Sequence, residues 1–247
     1  MDLGLRGKVA VVTGASRGLG RGCAVAFAAK GAEVILVARS GDELAQVEAE
    51  ILGAGGRAQT VPCDLTQEAE VQRLFSSLQR CDVLVNNAGA NRPQRFLDVD
   101  VGTLDMLLAL NVRSMFLTAQ AAARIMVRQR AGAIVNMSSQ MGHVGAPERT
   151  VYCMTKHAIE GLTKAMAVEL ASFGVRVNTV APTYVETPMT QPFFANDDFR
   201  NRALSAIPLG RIGRVEEITA AVLFLASSAA SLVTGTSLRV DGGYTAQ

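Results

Sequence analysis

The sequence predicts a single α/β domain built on a doubly wound, seven-stranded parallel sheet with helices on both faces. Short apolar runs alternate with helical patterns along the 247 residues, as in parallel strands joined by right-handed crossover helices. The runs are nearly continuous, which is typical of strands buried on both faces. A glycine-rich turn lies between the first run and the first helix, where such sheets bind ligands.

The elements follow one another without a linker or an internal repeat. The predicted strands are residues 8–13, 33–38, 57–61, 82–85, 133–137, 175–180 and 238–240. An alanine-rich helix follows the first strand and is stopped by Gly31, a helix-ending residue. Ser40 and Glu43 form a predicted capping box for the second helix. Thr66 is predicted to cap a third helix that reaches residue 78.

Two longer helices and one irregular segment complete the chain. Helices are expected over residues 102–129 and 151–172. Residues 183–213 carry three prolines and no clear periodicity, and a segment this long is more often a functional lid than filler. We therefore predict one domain over residues 1–247, with a substrate lid at about 183–213.

Composition argues against several classes of partner. The 24 basic and 22 acidic residues form no basic run, so we expect no nucleic-acid partner. The chain shows no apolar stretch approaching the ~18 residues of a membrane span and no signal-peptide pattern, which predicts a cytoplasmic protein with no membrane partner. The four cysteines form no C-x-x-C pair and lie near no histidine at metal-ligand spacing, so no metal site is predicted.

The glycine-rich turn is a candidate pyrophosphate site. It reads Gly14-Ala15-Ser16-Arg17-Gly18-Leu19-Gly20. Strand, turn and helix together aim helix amides at a pyrophosphate, and the glycines let the backbone approach it. The spacing differs from the commonest dinucleotide fingerprint, so the interpretation depends on the position of the turn between strand and helix.

Residues 139–156 contain the candidate catalytic groups. Tyr152 and Lys156 are four apart, so they share one face of a helix, and Ser139 follows the fifth strand. Such a hydroxyl, phenol and ammonium can move a proton on and off a carbonyl oxygen, because a lysine cation lowers the pKa of a phenol. Asn111 lies in an apolar stretch, where a buried amide must find partners. From these residues alone, a chance Tyr–Lys pair and a core-satisfied asparagine remain alternatives.

Taken together, these motifs resemble those of the short-chain dehydrogenase/reductase (SDR) family over essentially the whole chain. In family order they are Thr13-Gly14-x-x-x-Gly18-x-Gly20, Asp64, Asn87-Ala88-Gly89, Asn111, Ser139, Tyr152-x-x-x-Lys156, Pro182 with Thr187, and Asp241-Gly242-Gly243. The resemblance implies a Rossmann-type domain, an NAD(P)-dependent dehydrogenase or reductase acting on CH–OH groups, and a homotetramer. The cofactor-binding residues it implies are Gly14, Ser16, Arg17, Gly18, Leu19, Gly20, Arg39, Asp64, Leu65, Asn87, Ala88, Gly89, Tyr152, Lys156, Pro182, Val185 and Thr187.

The resemblance also implies catalytic roles. Tyr152 is the general acid/base, and Lys156 lowers its pKa and holds the nicotinamide ribose. Ser139 hydrogen-bonds the substrate oxygen as an oxyanion donor would. Asn111 holds a water that relays protons from Lys156.

Further roles concern the cofactor. Asp64 and Leu65 bracket the adenine, Asn87 and Gly89 line the adenosine side, and Val185 with Thr187 holds the carboxamide. The chain departs from the family at Thr183, where Pro-Gly is usual. Threonine does not readily adopt a positive φ, so we expect a shifted backbone there.

The end of the second strand indicates which nicotinamide cofactor is preferred. NAD-binding sites place an acidic residue there to bind the ribose 2′-hydroxyl, whereas this chain has Ala38-Arg39. Arg39, with Arg17 as a second cation, can pair with a 2′-phosphate. We predict a preference for NADP(H), with NAD(H) possible. Solvated surface arginines are the alternative.

The leading function is interconversion of a secondary alcohol and a ketone. Arginine binds carboxylates through paired hydrogen bonds, so Arg149 and, as second choice, Arg214 favour a small hydroxy or keto acid such as a sugar acid. With Ser139 and Tyr152 they form the predicted substrate-binding set. A 3-oxoacyl-(acyl-carrier-protein) reductase is one alternative, and a non-catalytic regulator that senses nicotinamide cofactors is another.

Overall fold

The computed structural model describes residues 3–188, 190–194 and 196–247, so positions 189 and 195 of the predicted lid lie outside the described residues. Seven strands form one parallel sheet in the order β3-β2-β1-β4-β5-β6-β7, which confirms the predicted doubly wound fold. The strands are β1 (Val9–Thr13), β2 (Glu33–Ala38), β3 (Arg57–Pro62), β4 (Val83–Asn86), β5 (Gly132–Met137), β6 (Val175–Pro182) and β7 (Ser237–Val240).

Helices cover both faces of this sheet. They are α1 (Gly18–Ala29), α2 (Gly41–Gly53), α3 (Glu68–Ser76), α4 (Val101–Leu108), α5 (Ser114–Gln129), α6 (Thr150–Leu170), α7 (Gln191–Phe194), α8 (Asp197–Ser205) and α9 (Val215–Ala226). Val12 packs in one apolar cluster with Phe27 of α1, and its neighbour Val11 packs in another with Met126 of α5. Successive strand residues point to opposite faces, so each strand contributes to both cores.

The direction of winding reverses between β1 and β4. Strand β1 pairs with β2 on one side and with β4 on the other. Crossovers leave this point in opposite directions, which opens a crevice at the carboxyl ends of the strands. The glycine-rich turn follows β1, Asn87 follows β4 and Ser139 follows β5. The topology therefore brings the predicted motifs to one edge of the sheet.

Helix starts agree with the sequence in one case and differ in another. Ser40 caps α2 as predicted, and its hydroxyl accepts a hydrogen bond of 3.3 Å from Glu43 N. Thr66 does not cap α3, which begins at Glu68. The Thr66 hydroxyl instead donates to Asp64 Oδ1 at 2.8 Å, within the turn that follows β3.

The predicted long helix is present as a continuous run, Val101–Gln129. Its middle, Ala109–Arg113, is π-helical, and such turns occur often at functional sites. Contrary to the expectation from the sequence, this run is long and apolar enough to pass as a membrane span. Its apolar window is 44% buried, and α5 packs on α3 and β5, as a core helix does.

Two helical regions differ from the sequence expectation. The predicted lid is not irregular throughout, since α7 and α8 lie within it. Helix α9 has no counterpart among the sequence predictions. It begins with a capping arrangement in which Glu217 Oε2 accepts from Arg214 N at 2.8 Å.

Candidate active site

The glycine-rich turn has no room for side chains at Gly14 and Gly20, which pack against neighbouring protein atoms. Gly14 and Gly18 have φ values of 64° and 56°, which side chains rarely adopt. A Cβ on Gly14 would lie 2.9 Å from Asn87 Nδ2, and one on Gly20 would overlap Gly14 O. The turn is thus packed tightly against the loop after β4.

Thr13 and Asn87 hold this turn to the neighbouring strand. Thr13 Oγ1 accepts from the backbone nitrogens of Asn87 and Ala88, at 2.8 and 3.0 Å. Asn87 Nδ2 donates to Thr13 O at 2.9 Å. The Asn87 side chain therefore fixes the wall of the crevice, and Gly89 faces the Asn111 amide, since a Cβ there would be 3.2 Å from Asn111 Oδ1.

Two cations face solvent beside the turn. Arg17 and Arg39 are exposed, and neither side chain has a hydrogen bond or ion pair within the described ranges. The Asp64 carboxylate is hydrogen-bonded within its own turn, where it accepts from Thr66 N at 3.0 Å. Its neighbour Leu65 is buried. The edge above β2 therefore presents positive charge.

The first residues of the predicted lid lie against the turn. Val185 forms an isolated bridge with Gly213, and a Cβ on Gly18 would touch Thr187 Cβ at 3.7 Å. Pro182 ends β6 and is buried. Thr183 does not have a positive φ; its nitrogen donates to Val240 O at 3.2 Å, and its Oγ1 is buried without a partner among the described residues.

Ser139, Tyr152 and Lys156 come together as predicted. Lys156 is buried, and its Nζ donates to Met137 O at 2.7 Å and lies 5.6 Å from the centre of the Tyr152 ring. Ser139 Oγ accepts from Met141 N at 3.1 Å; burial raises the pKa of Tyr152, and the Ser139 hydroxyl opposes that shift. A hydroxyl, a phenol and an ammonium thus share one pocket.

The pKa of Tyr152 moves against the sequence expectation. Part of the ring reaches the surface, yet burial of the phenol raises its pKa to about 12, and the lower pKa expected from Lys156 is wrong for this site. Burial also lowers the pKa of Lys156 to about 8, opposed by Glu160. Desolvation disfavours both charged forms, so at neutral pH the phenol keeps the proton that a carbonyl oxygen would need.

The Asn111 amide is already engaged by the protein. It is fully buried in the π-helical turn. Its Oδ1 accepts from Ala90 N at 2.8 Å, and its Nδ2 donates to Ala90 O at 2.8 Å and to Thr155 Oγ1 at 3.2 Å. The side chain thus ties the loop after β4 to α6, and the water relay assigned to Asn111 stays a prediction.

Arg149, the predicted substrate anchor, is the residue immediately before α6, three positions before Tyr152. Burial raises the pKa values of Tyr152 and Tyr184, and the positive charge of Arg149 opposes both shifts. The Tyr184 ring packs edge-on against Phe199 of α8 and Tyr244, with ring centres 5.5 and 6.4 Å apart. Arg149 thus places a positive charge at the start of the helix that carries Tyr152.

Arg214 lies elsewhere. Its side chain is 71% exposed at the start of α9, with Nε 4.0 Å from Glu217 Oε2. The next residue, Val215, packs against Gly22 of α1. Within the described parts of the chain, no contact joins Arg214 to Tyr152, so it does not share the pocket of Arg149.

The comparisons with known proteins agree over the whole chain. A family model described as enoyl-(acyl carrier protein) reductase matches residues 14–245. L-xylulose reductase from Bos taurus is 40% identical over 247 residues, covering 100% of both chains. The chain belongs to the short-chain dehydrogenase/reductase family. A 3-oxoacyl-(acyl-carrier-protein) reductase from Thermotoga maritima is 38% identical over 97% of this SDR and 98% of the relative.

The solved structures include an SDR with its ligands. A gluconate 5-dehydrogenase from Burkholderia cenocepacia, in complex with NADP and tartrate, has a TM-score of 0.96 at 31% identity, covering 100% of this chain and 98% of that one. The present SDR is an NAD(P)-dependent oxidoreductase acting on alcohol and ketone groups, as these relatives are.

The residues present fit a nicotinamide dinucleotide. Gly14 and Gly18 have positive φ values, so the backbone there is free of side chains, as a pyrophosphate would require, and Thr187 lies beside Gly18. Lys156, on the far side of the crevice, can reach a ribose. The cofactor supplies or accepts the hydride when bound, and the protein contributes position and proton transfer.

Two features of the site were missed by sequence reasoning. Glu160 lies one helical turn beyond Lys156 and is buried; its i, i+4 spacing within an apolar helix face was the available signal. Tyr184 packs at the base of the lid, and no sequence pattern marks it.

Proposed function

We propose that this enzyme uses NADP(H) in preference to NAD(H) to interconvert a small polar hydroxy acid and the corresponding keto acid, such as a sugar acid. The observation that carries the substrate class is the position of Arg149 at the start of α6, three residues before Tyr152. A carboxylate at this point can meet the guanidinium while the reacting carbon stays at Tyr152. The gluconate 5-dehydrogenase bound to NADP and tartrate, a dicarboxylate, supports the same class.

The proposed chemistry assigns one task to each side chain. In reduction, Tyr152 donates its proton to the carbonyl oxygen while Ser139 hydrogen-bonds that oxygen. Lys156 stabilises the phenolate that forms. Oxidation runs the same transfers in reverse. Asn111 positions the loop and helix through its amide bonds.

Tyr152→Phe tests the catalytic assignment and excludes the sensor alternative. The variant keeps the ring but removes the proton, so turnover should fall at least ~100-fold while cofactor affinity stays within a few fold. Turnover with gluconate and NADP⁺, and NADPH affinity by fluorescence, provide the measurements. A Tyr152→Phe enzyme with full turnover would contradict the acid/base role.

Arg149→Leu tests the substrate class. Loss of a charge-assisted pair should lower kcat/KM for gluconate by about ten- to a hundredfold and leave the KM for NADP⁺ unchanged. Arg128→Leu, at an exposed position near the end of α5, is the matched control. If the wild type prefers L-xylulose or other neutral alcohols to every acid tested, the carboxylate proposal fails.

A second candidate is reduction of a 3-oxoacyl thioester on acyl carrier protein. The Thermotoga maritima relative carries that name. Acetoacetyl-coenzyme A is the discriminating probe. NADPH oxidation with this thioester at a kcat/KM above that for keto acids would favour the second candidate.

We also propose a cytoplasmic homotetramer. Val101, Phe116 and Met154 expose 71%, 46% and 46% of their surfaces on α4, α5 and α6, and exposed apolar patches mark interfaces. Light scattering should give about four times the chain mass of 26.0 kDa. A mass of one chain at micromolar concentration would contradict the tetramer.

A further inference from the structure

A buried carboxylate lies one helical turn beyond the catalytic lysine. Glu160 is 7% exposed and shares the inner face of α6 with Lys156. Thr179 Oγ1 on β6 donates to it at 3.0 Å, and Ser237 Oγ on β7 donates at 3.1 Å. His143 Nε2 is 3.4 Å from Glu160 Oε1. Three separate segments thus supply hydrogen-bonding groups, which is what a buried carboxylate requires.

The residues around Glu160 pack closely on it and on Lys156. Thr179 pairs in register with Ser237, so the two hydroxyls form a row beneath the helix. A Cβ on Gly142 would lie 3.2 Å from Glu160 Cγ and 3.2 Å from Lys156 O. The segment after Ser139 therefore packs closely over both charged residues.

Glu160 is the charged side chain that acts on Lys156. Burial lowers the pKa of that ammonium, and the Glu160 carboxylate, one turn along the same face of α6, opposes the shift. The other groups facing the pair are Tyr152 on α6, His143 after Ser139, the Met137 carbonyl on β5, Thr179 on β6, Ser237 on β7 and the Asn111 amide in the π-helical turn. Helices α4 and α5 also pack on α6 but add no charge that acts on Lys156.

We propose that Glu160 is a positioning residue that keeps Lys156 cationic in the working enzyme, a role that rests on the proposed catalysis by Tyr152 and Lys156. A buried lysine loses its proton readily because its ammonium lacks water. Lys156 has one described acceptor, Met137 O. A carboxylate on the same helix face offsets the lost solvation without touching the ammonium, so Nζ remains directed toward the crevice.

Glu160→Gln tests the proposal by direct titration of Lys156. The chain has four lysines, Lys8, Lys30, Lys156 and Lys164, so lysine labelled with ¹³C gives few resonances, and Lys156→Met assigns the one of interest. We expect the wild-type pKa near 8 and a fall of about one to two pH units in Glu160→Gln. Glu169→Gln, an exposed carboxylate near the end of α6, should leave it unchanged.

Further variants separate charge from packing. Glu160→Asp keeps the charge and should restore most of the Lys156 pKa. Glu160→Met, of similar length, is a second charge-free variant and should lower the pKa as Gln does. A folded Glu160→Gln or Glu160→Met protein whose Lys156 titrates as in wild type would overturn the proposal.

Turnover distinguishes this proposal from the catalytic assignment. In NADPH-dependent reduction of 5-ketogluconate, activity falls at alkaline pH as Lys156 loses its proton. This fall should occur at a pH one to two units lower in Glu160→Gln than in wild type. An equal loss of activity at every pH would mean a merely structural role and would overturn the proposal. Full turnover in Tyr152→Phe would instead refute the assignment on which it rests, whatever Lys156 does.

Discussion

Gly20 offers the sharpest test of the glycine-rich turn. It lies in the first turn of α1, where alanine would ordinarily stabilise a helix by about 1 kcal/mol. Here an added Cβ would overlap Gly14 O and lie 2.6 Å from Asn87 Nδ2. Overpacking costs about 1 to 3 kcal/mol, and the upper end applies because a backbone carbonyl cannot rotate away. Gly20→Ala should therefore lose about 2 kcal/mol of unfolding free energy.

Gly161→Ala is the matched control. Gly161 lies inside α6, and no heavy atom lies within 4 Å of its added Cβ, so the full helix gain of about 1 kcal/mol should appear. The two variants thus differ by about 3 kcal/mol, or about 6 to 12 °C in Tm for a domain of this size. Calorimetry measures that difference, and NADPH fluorescence should show at least tenfold weaker binding for Gly20→Ala alone.

A Gly20→Ala protein that melts at or above wild type and binds NADPH with unchanged Kd would show that the turn has room for a side chain. A Gly161→Ala protein that melts well below wild type would show that alanine does not stabilise α6 at this position.

Three further predictions concern charge. Arg39→Asp should move the ratio of kcat/KM for NADP over NAD toward NAD by about ten- to a hundredfold; an unmoved ratio would make Arg39 a mere surface residue. Phenolate absorbance of cofactor-free wild type minus Tyr152→Phe should show a pKa near 12, and a value below 10 would contradict the burial argument. The folded pKa of Lys156, about 8, lies below the ordinary lysine value of 10.5, so the unfolding free energy should rise between these pH values. Lys156→Met should accordingly gain up to about 3 kcal/mol at pH 7, and the gain should vanish near pH 10.5.

The fold was largely predictable because its strands are buried on both faces. A run such as Val9–Thr13 has no polar alternation to obscure it, and the helices between the runs require parallel pairing. Helix boundaries were harder, because tertiary contacts decide them. Thr66 has the chemistry of a cap, yet its hydroxyl goes to Asp64. Helix α9 escaped prediction because its sequence, V-E-E-I-T-A-A-V-L-F-L-A, is apolar on most sides.

The site was predictable where spacing along one element sufficed. Tyr152 and Lys156 are four residues apart on one helix, and this spacing alone places them on the same helix face. The surroundings of Glu160 come instead from Thr179 and Ser237, 19 and 77 residues away. No local pattern in the sequence joins those positions. The separation of Arg149 from Arg214 is likewise a consequence of topology, since α9 packs on α1.

The direction of the two catalytic pKa values shows why burial must be weighed against charge. Sequence reasoning placed a lysine cation beside a phenol and expected the phenol to ionise. In the folded protein, desolvation is the largest influence on both groups. It raises the pKa of Tyr152 to about 12 and lowers the pKa of Lys156 to about 8. An ammonium this close to neutral pH changes its charge in response to a small electrostatic change. One carboxylate a helical turn away is then enough to decide whether the lysine can stabilise a phenolate at all.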